Sequence, residues 1–401
     1  MSTIAEKFWV ILALFLGTAP FVLFGANADE LETTLTQRLL LWSVVYIGFA
    51  SLAVMHRGAL ALLFRDGRLL LALTALTTLS AAWSLNPATT LAASAALWAS
   101  TFIAAYMALR ISPRELLNLL AIALGTLAAG SLLVILLLPD YGIMTGIHEG
   151  LWNGLTTHKN ALGRYMVMGV VITAALALKP HNPWRLLLLA TCALCFMLML
   201  GTQSATAYVL LIAFVFLYAL LRPSANLSAP TRMGLLLIGL CAITIAALLL
   251  TDATVLEEAL TALGRDATLT HRTRIWAGAM DAISEQPWLG YGYEAFWGSS
   301  TGTSFSLHYT SWNVPHVHNG FLEVWLGLGV TGVVLLTALT LSFLRHITRR
   351  MSPDLLVLFA LTLTTSLVLN LVEFNFLRYN NIFWILFIYV LLRLKAESRT
   401  A

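Results

Sequence analysis

The chain has 401 residues, 59% of them hydrophobic and only 10% charged, with a formal net charge of +4. A water-soluble globule needs a larger share of ionic side chains to cover its surface, so these proportions exclude a soluble enzyme and describe a protein immersed in lipid. The small positive excess belongs with helix ends beside anionic membrane lipids and implies no nucleic-acid partner.

Hydropathy places apolar runs near 8–25, 36–55, 66–83, 90–109, 115–138, 161–178, 185–200, 203–221, 233–251, 320–344, 354–372 and 377–393. Each is close to the length of helix that crosses about 30 Å of hydrocarbon, so the expected fold is an all-α integral membrane protein with about 12 transmembrane helices. The first run follows a single Lys7, and the stretch from Phe15 to Glu30 has no small-x-small cleavage site, which predicts a retained helix. Three units follow: 1–251 with nine helices and a polar connection near 139–160, 252–319 as one large loop containing short helices, and 320–401 with three more helices and a tail. Twelve crossings put both termini on one side. Arg38, Lys159, Arg164, Arg265, Arg272, Arg274 and Arg378 fall on one face, and the rest of the 23 Lys and Arg gather on the other. The richer face, with both termini, is the cytoplasmic one by the positive-inside rule. The seven on the far face work against that bias and need a separate reason.

The first far-side connection, Pro139 to Asn160, is rich in Gly and ends in His158, Lys159 and Asn160, with Arg164 one turn into the next span. The second, Thr251 to Asn319, is too long for a structureless loop. Within it Ile275, Ala279, Met280 and Ile283 recur at helical spacing before Pro287, which predicts an amphipathic helix lying on the membrane or the bundle. Gly290-x-Gly292 follows no strand, so it reads as a tight turn with close backbone approach and not as a nucleotide loop. The chain re-enters as His316-Val317-His318-Asn319-Gly320, with Glu323 one turn below the helix start, where backbone N–H groups favour an anion. Two histidines without a third ligand close in sequence, among arginines, do not predict a metal site, and no cofactor is expected. Cys192, Cys195 and Cys241 lie inside apolar runs and read as buried filler.

Lys159, Arg164, Arg265, Arg272, Arg274 and Arg378 thus bring fixed charge from separate parts of the chain to one face. Arginine's planar fork suits phosphate and keeps its charge at physiological pH, which fits a pyrophosphate held at the bilayer surface. Group transfer outside the cytoplasm has no ATP and needs an activated donor, such as a polyprenyl-pyrophosphate-linked sugar. Arginines would then stabilise the departing pyrophosphate, and His318, with an imidazole pKa of about 6.5, would take the proton of the attacking hydroxyl. Glu323 would orient His318 or serve in its place, and Asn160, His316 and Asn319 would complete the substrate-binding surface. Direct attack inverts the anomeric centre. Plainer readings compete: Arg38 and Arg378 snorkelling at helix ends, Arg265 paired with Asp266, Arg272 or Arg274 facing water, and Glu323 as structural partner of a buried arginine.

Three patterns carry a family resemblance. Lys159-Asn160-Ala161-Leu162-Gly163 precedes a span, Arg272-x-x-x-Trp276 is followed by Pro287-x-Leu289-Gly290-x-Gly292, and His318-Asn319 by Gly329-Val330-Thr331-Gly332. Together with the run of spans and the large late loop, they resemble the bacterial O-antigen ligase and O-antigen polymerase superfamily over nearly the whole chain. The last pattern is closer to the ligases. The resemblance implies that Arg265 and an arginine of the 272–274 pair contact undecaprenyl pyrophosphate and that His318 acts at the transfer centre. It further implies a metal-independent enzyme of the Gram-negative inner membrane, with a large periplasmic loop. Such an enzyme moves glycan from undecaprenyl pyrophosphate to a sugar hydroxyl of lipid A-core. Ser204-Ala205 stands where many relatives carry Ser-Arg or Ser-Lys, so one basic contact is lost or supplied elsewhere. The rival is an O-antigen polymerase extending undecaprenyl-pyrophosphate-linked repeats. A polytopic transporter fits less well, because the charged candidates gather at one face and no internal repeat is evident.

Overall fold

The computed structural model describes residues 2–20, 31–56, 58–222, 228, 230–231, 234, 238–239, 270–310, 314–348 and 351–400. In chain order the helices are α1 (Ile4–Leu16), α2 (Leu31–Met55), α3 (Gly58–Asp66), α4 (Arg68–Leu79), α5 (Pro87–Arg110), α6 (Pro113–Leu137), α7 (Lys159–Ala177), α8 (Arg185–Thr202), α9 (Ala205–Leu221), α10 (Thr270–Glu285), α11 (Ser300–Tyr309), α12 (Gly320–Leu344), α13 (Pro353–Leu367) and α14 (Ile382–Thr400). Apart from one isolated bridge between Ile143 and Trp152, the described residues form no sheet.

The all-α architecture agrees with the sequence, but the count of about twelve spans does not. Among the described residues, six helices are long and apolar enough to cross a membrane: α5, α6, α7, α8, α12, and α13 extended to Leu371. A seventh is added if Arg38–Val54 and Gly58–Asp66, bent by 94°, are one broken span. Hydropathy counts apolar runs, whereas a span also needs about 20 residues of continuous helix. Helices α1, α4 and α9 stop at 13, 12 and 17 residues, and α14 runs into Arg393, Lys395 and Glu397. The expected run 233–251 falls largely outside the described residues. With six or seven crossings among the described residues, the parity argument for the termini lapses.

Helix starts follow from local chemistry. Asn86, Ser112 and Ser352 each accept a hydrogen bond from the first-turn backbone of α5, α6 and α13, and each is followed by proline at the first helical position, where a missing N–H costs nothing. Thr3 and Glu6 form a reciprocal capping box on α1. Helix α14 is buried on all sides from Ile382 to Leu392, as a helix hydrophobic all round should be, and α3, α5 and α13 pack against it. Helix α8 faces outward, with Leu186 83% exposed, a surface suited to lipid.

Glycines decide how the late loop docks. Gly329 breaks α12 with φ 65° and ψ −168°. Beside that break Tyr291 N donates to Leu326 O (3.0 Å), Gly292 N to Gly327 O (3.0 Å) and Val330 N to Pro287 O (2.9 Å). A Cβ on Gly329 would lie 2.2 Å from Trp288 backbone, and one on Gly290 would lie 2.5 Å from Leu326 O. The Gly290-x-Gly292 turn is therefore the close backbone approach that its sequence predicts, and its partner is the glycine break of α12. Tyr293 N and O then bond Ser80 Oγ and Thr90 Oγ1, wedging the loop between the α4–α5 corner and α12.

Candidate active site

Three residues far apart in sequence converge on one carboxylate that the sequence did not single out, Glu373. Arg164 Nη1 lies 3.7 Å from Glu373 Oε2, Arg272 Nη2 lies 3.4 Å from Oε1, and His318 Nδ1 lies 3.7 Å from Oε2. Arg164 stands one turn inside α7, Arg272 in the first turn of α10, His318 just before α12, and Glu373 in the connection between α13 and α14. That connection is shaped by Asn370, whose Oδ1 accepts from Asn375 N (2.9 Å) and Phe376 N (3.0 Å) while its Nδ2 donates to Ser366 O. The start of α12 reaches it because Gly320 has no side chain: a Cβ there would sit 2.1 Å from Asn370 Oδ1.

His318 itself is held in a left-handed backbone conformation, φ 55°, a strained position for a residue with a Cβ that is typically kept for function. The neighbours that hold it are specific. Trp276 Nε1 donates to Val317 O (3.0 Å), Val317 N donates to Glu323 Oε2 (2.7 Å), and Asn319 Oδ1 caps α12 by accepting from Phe321 N and Leu322 N. Trp276 lies on α10, whose Ile275, Ala279 and Ile283 are buried against Tyr291, Val317 and Leu326 as their spacing predicts. Met280, expected on the same face, is 44% exposed.

The remaining candidates are distributed as follows. His316 lies beside His318, ring centroids 4.1 Å apart, and its Nδ1 accepts from His318 N. Arg378 stacks on Phe374 at 5.6 Å. Glu323 is engaged by Trp297 Nε1 (2.9 Å) and Val317 N, so it braces the loop behind His318 while Glu373 faces the ring. Asn160 Oδ1 accepts from Ser204 Oγ (2.9 Å), which ties α7 to α9. Lys159 is the first residue of α7, whose N-terminus His158 caps. Arg274 is exposed, because residues two apart on a helix face different ways and Arg272 takes the inward direction. Arg265 lies outside the described residues.

Charge in the cluster is tightly set. Burial alone would raise the Glu373 carboxyl, but the His318 ring and the Arg164 and Arg272 guanidiniums outweigh it and hold the group well below the usual carboxylate range. Burial, helped by His318 and Arg378, pushes the His316 imidazole well below its ordinary value, so it is neutral at pH 7. Among the described residues Arg164 Nε is buried without a hydrogen-bond partner, while His318 Nδ1 faces Glu373 Oε2 at 3.7 Å. An unsatisfied buried donor of that kind is expected where a ligand completes the site. Each guanidinium has five N–H donors, so contact with Glu373 leaves most of the fork for an anion.

A depressed carboxyl contributes stability that is complete above its unfolded pKa of about 4.3 and is lost as pH falls toward its folded value. Glu373→Gln should therefore lower thermal stability at neutral pH and flatten its decline between about pH 5 and pH 2, as read by thermal unfolding of the purified protein. An acid limb parallel to wild type would detach Glu373 from that dependence.

His316, His318 and Glu373 also place three ligand atoms within 4.8 Å of one another, the third ligand coming from a segment distant in sequence. Two guanidiniums on the same carboxylate oppose a divalent cation there. Exhaustive chelation is expected to leave turnover unchanged, and recovery on metal addition after stripping would count against this.

Residues 188–337 match the family described as O-antigen ligase. The chain is also 28% identical over 208 residues to the exopolysaccharide production protein ExoQ of Rhizobium meliloti (strain 1021), covering 50% of this chain and 48% of that protein. The chain thus aligns with about half the length of this relative. The family match contains Arg272, His316, His318 and Glu323 but stops short of Arg164 and Glu373, which enter the site through the fold.

Proposed function

We propose that this protein is a membrane glycosyltransferase of the O-antigen ligase and polymerase superfamily that moves glycan from undecaprenyl pyrophosphate to an acceptor hydroxyl. The observation that carries the reading is the meeting of Arg164, Arg272 and His318 around Glu373, a positively charged cradle beside a candidate base. In this reading the guanidiniums hold the pyrophosphate, and Glu373 orients His318 through Nδ1 so that Nε2 faces the acceptor. His318 removes the hydroxyl proton as the acceptor oxygen bonds to the anomeric carbon. The bond from that carbon to the pyrophosphate oxygen breaks, and undecaprenyl pyrophosphate leaves with the electron pair, so configuration inverts. Arg265, His316, Asn319 and Arg378 are assigned to the donor-binding surface, with Lys159, Asn160 and Arg274 at its edge, and Glu323 to support of the His318 loop.

The likeness to an exopolysaccharide production protein favours a polymerising acceptor, a second lipid-linked repeat, since production of a polysaccharide requires repeats to be joined. The O-antigen ligase description of residues 188–337 favours the second reading, in which lipid A-core is the acceptor. Purified protein given undecaprenyl-pyrophosphate glycan with either acceptor tests both. Extension of lipid-linked repeats supports the first, transfer onto lipid A-core the second, and no covalent transfer to either removes the enzymatic reading.

A periplasmic site in the inner membrane of a Gram-negative cell is part of the same proposal. Its support is that Arg65, Arg110, Arg114, Lys179 and Arg345 stand at or just beyond helix ends away from the cluster, where the positive-inside rule puts the cytoplasm. A cysteine replacing exposed Arg274 should be labelled by an impermeant maleimide from the periplasm.

A further inference from the structure

The end of α12 opposite the candidate site carries chemistry that glycan transfer does not use. Helix α12 runs 25 residues from Gly320 to Leu344 with a break at Gly329, at most about 37 Å at 1.5 Å per residue, so Leu344 lies at the end away from His318. There an open groove of about 740 Å³ is lined by Arg65, Arg68, Arg345 and Lys395 around a single acid, Asp66, with Ala338 and Leu341 in its wall. The four cations come from α3, α4, the turn after α12, and α14. Positive-inside topology accounts for basic residues at helix ends one by one. It does not account for four of them, from four elements, lining a common space.

The acid is already engaged. Arg65 Nη2 lies 2.9 Å from Asp66 Oδ2, and Lys395 Nζ donates to the Asp66 carbonyl (2.7 Å). The groove therefore keeps a net positive charge, and its volume lies within the range of small-ligand sites, about 300–1,000 Å³. Its wall is continuous with an outward-facing apolar stripe: Leu341 and Val334, 60% and 59% exposed, are seven residues apart and so share one face of α12. A soluble anion has no use for such a stripe, whereas a lipid acyl chain does.

We propose that this groove binds the phosphodiester headgroup of an anionic phospholipid, with an acyl chain lying along Val334 and Leu341. Arginine forks suit the phosphate oxygens, and a basic pocket between membrane helices is a recurring solution for lipid headgroups. The site lies in the leaflet opposite the one that would hold the glycan donor.

Native mass spectrometry of the full chain in detergent, titrated with phosphatidylglycerol or phosphatidylcholine, tests the proposal. The expected result is retention of phosphatidylglycerol over phosphatidylcholine, weakened by salt, and weakened roughly tenfold by Arg68→Gln with Arg345→Gln. Because losing two topogenic charges can disturb insertion, Ala338→Phe provides a second variant that fills the wall and keeps every charge. It should also weaken phosphatidylglycerol retention. Equal retention of the two lipids, retention unchanged in Ala338→Phe, or full displacement by millimolar inorganic phosphate would overturn the proposal, the last by making this a soluble-anion site.

Discussion

Glu373→Gln is expected to cut glycan transfer by about 10²-fold or more while the protein still inserts in the membrane. The carboxylate is 11% exposed and faces two guanidiniums that are 16% and 18% exposed, so removing its charge leaves two buried cations with no counter-ion. Breaking a buried pair in this way costs about 3 kcal/mol, enough to turn Arg164 and Arg272 away from their present directions and to release the His318 ring. Glu373→Asp keeps the charge and should recover part of the rate. Transfer within about twofold of wild type in Glu373→Gln, measured with purified donor and acceptor, would separate this carboxylate from the reaction.

His318→Ala should lose about 10²- to 10⁴-fold in the transfer step with donor binding retained, because the ring is the base while the arginines hold the pyrophosphate. Backbone strain complicates a simple reading: at φ 55° an alanine carries a left-handed penalty of about 1–2 kcal/mol. His318→Asn removes the complication, since asparagine tolerates that conformation and cannot act as a base at neutral pH. If the ring is the base, both variants fall alike. Activity retained in His318→Asn but lost in His318→Ala would assign His318 to backbone geometry alone. Donor binding, followed by lipid co-purification or by protection from unfolding, should be near wild type in both.

Much of the site was legible as residue types without their partners. Arg164 and Arg272 stood out as basic residues on the far face, against the positive-inside bias, and His318 as a titratable group at the mouth of a span. Glu373 did not, although it sits in a polar break, Glu373-Phe374-Asn375, between two apolar runs. The signal was that break, read as an ordinary short connection. Glu323 attracted the role of orienting His318 because it is five residues away in sequence, and the fold instead directs its oxygens to Trp297 and Val317. Distance along the chain misleads where a loop turns back on itself.

Composition and periodicity by themselves determined that the chain lives in a membrane, that it is helical, where helices α5, α6, α7, α8, α12 and α13 run, and that the glycine turn at 290–292 packs backbone on backbone. Those properties depend on local hydrogen bonding and on the transfer of apolar side chains from water, which a short window of sequence contains. Only the tertiary structure decided how many runs are continuous spans, that Arg272 turns inward while Arg274 faces out, and that residues 164, 272, 318 and 373 share one cluster. An ion pair between segments tens or hundreds of residues apart is fixed by how the helices pack, and no local window carries that information.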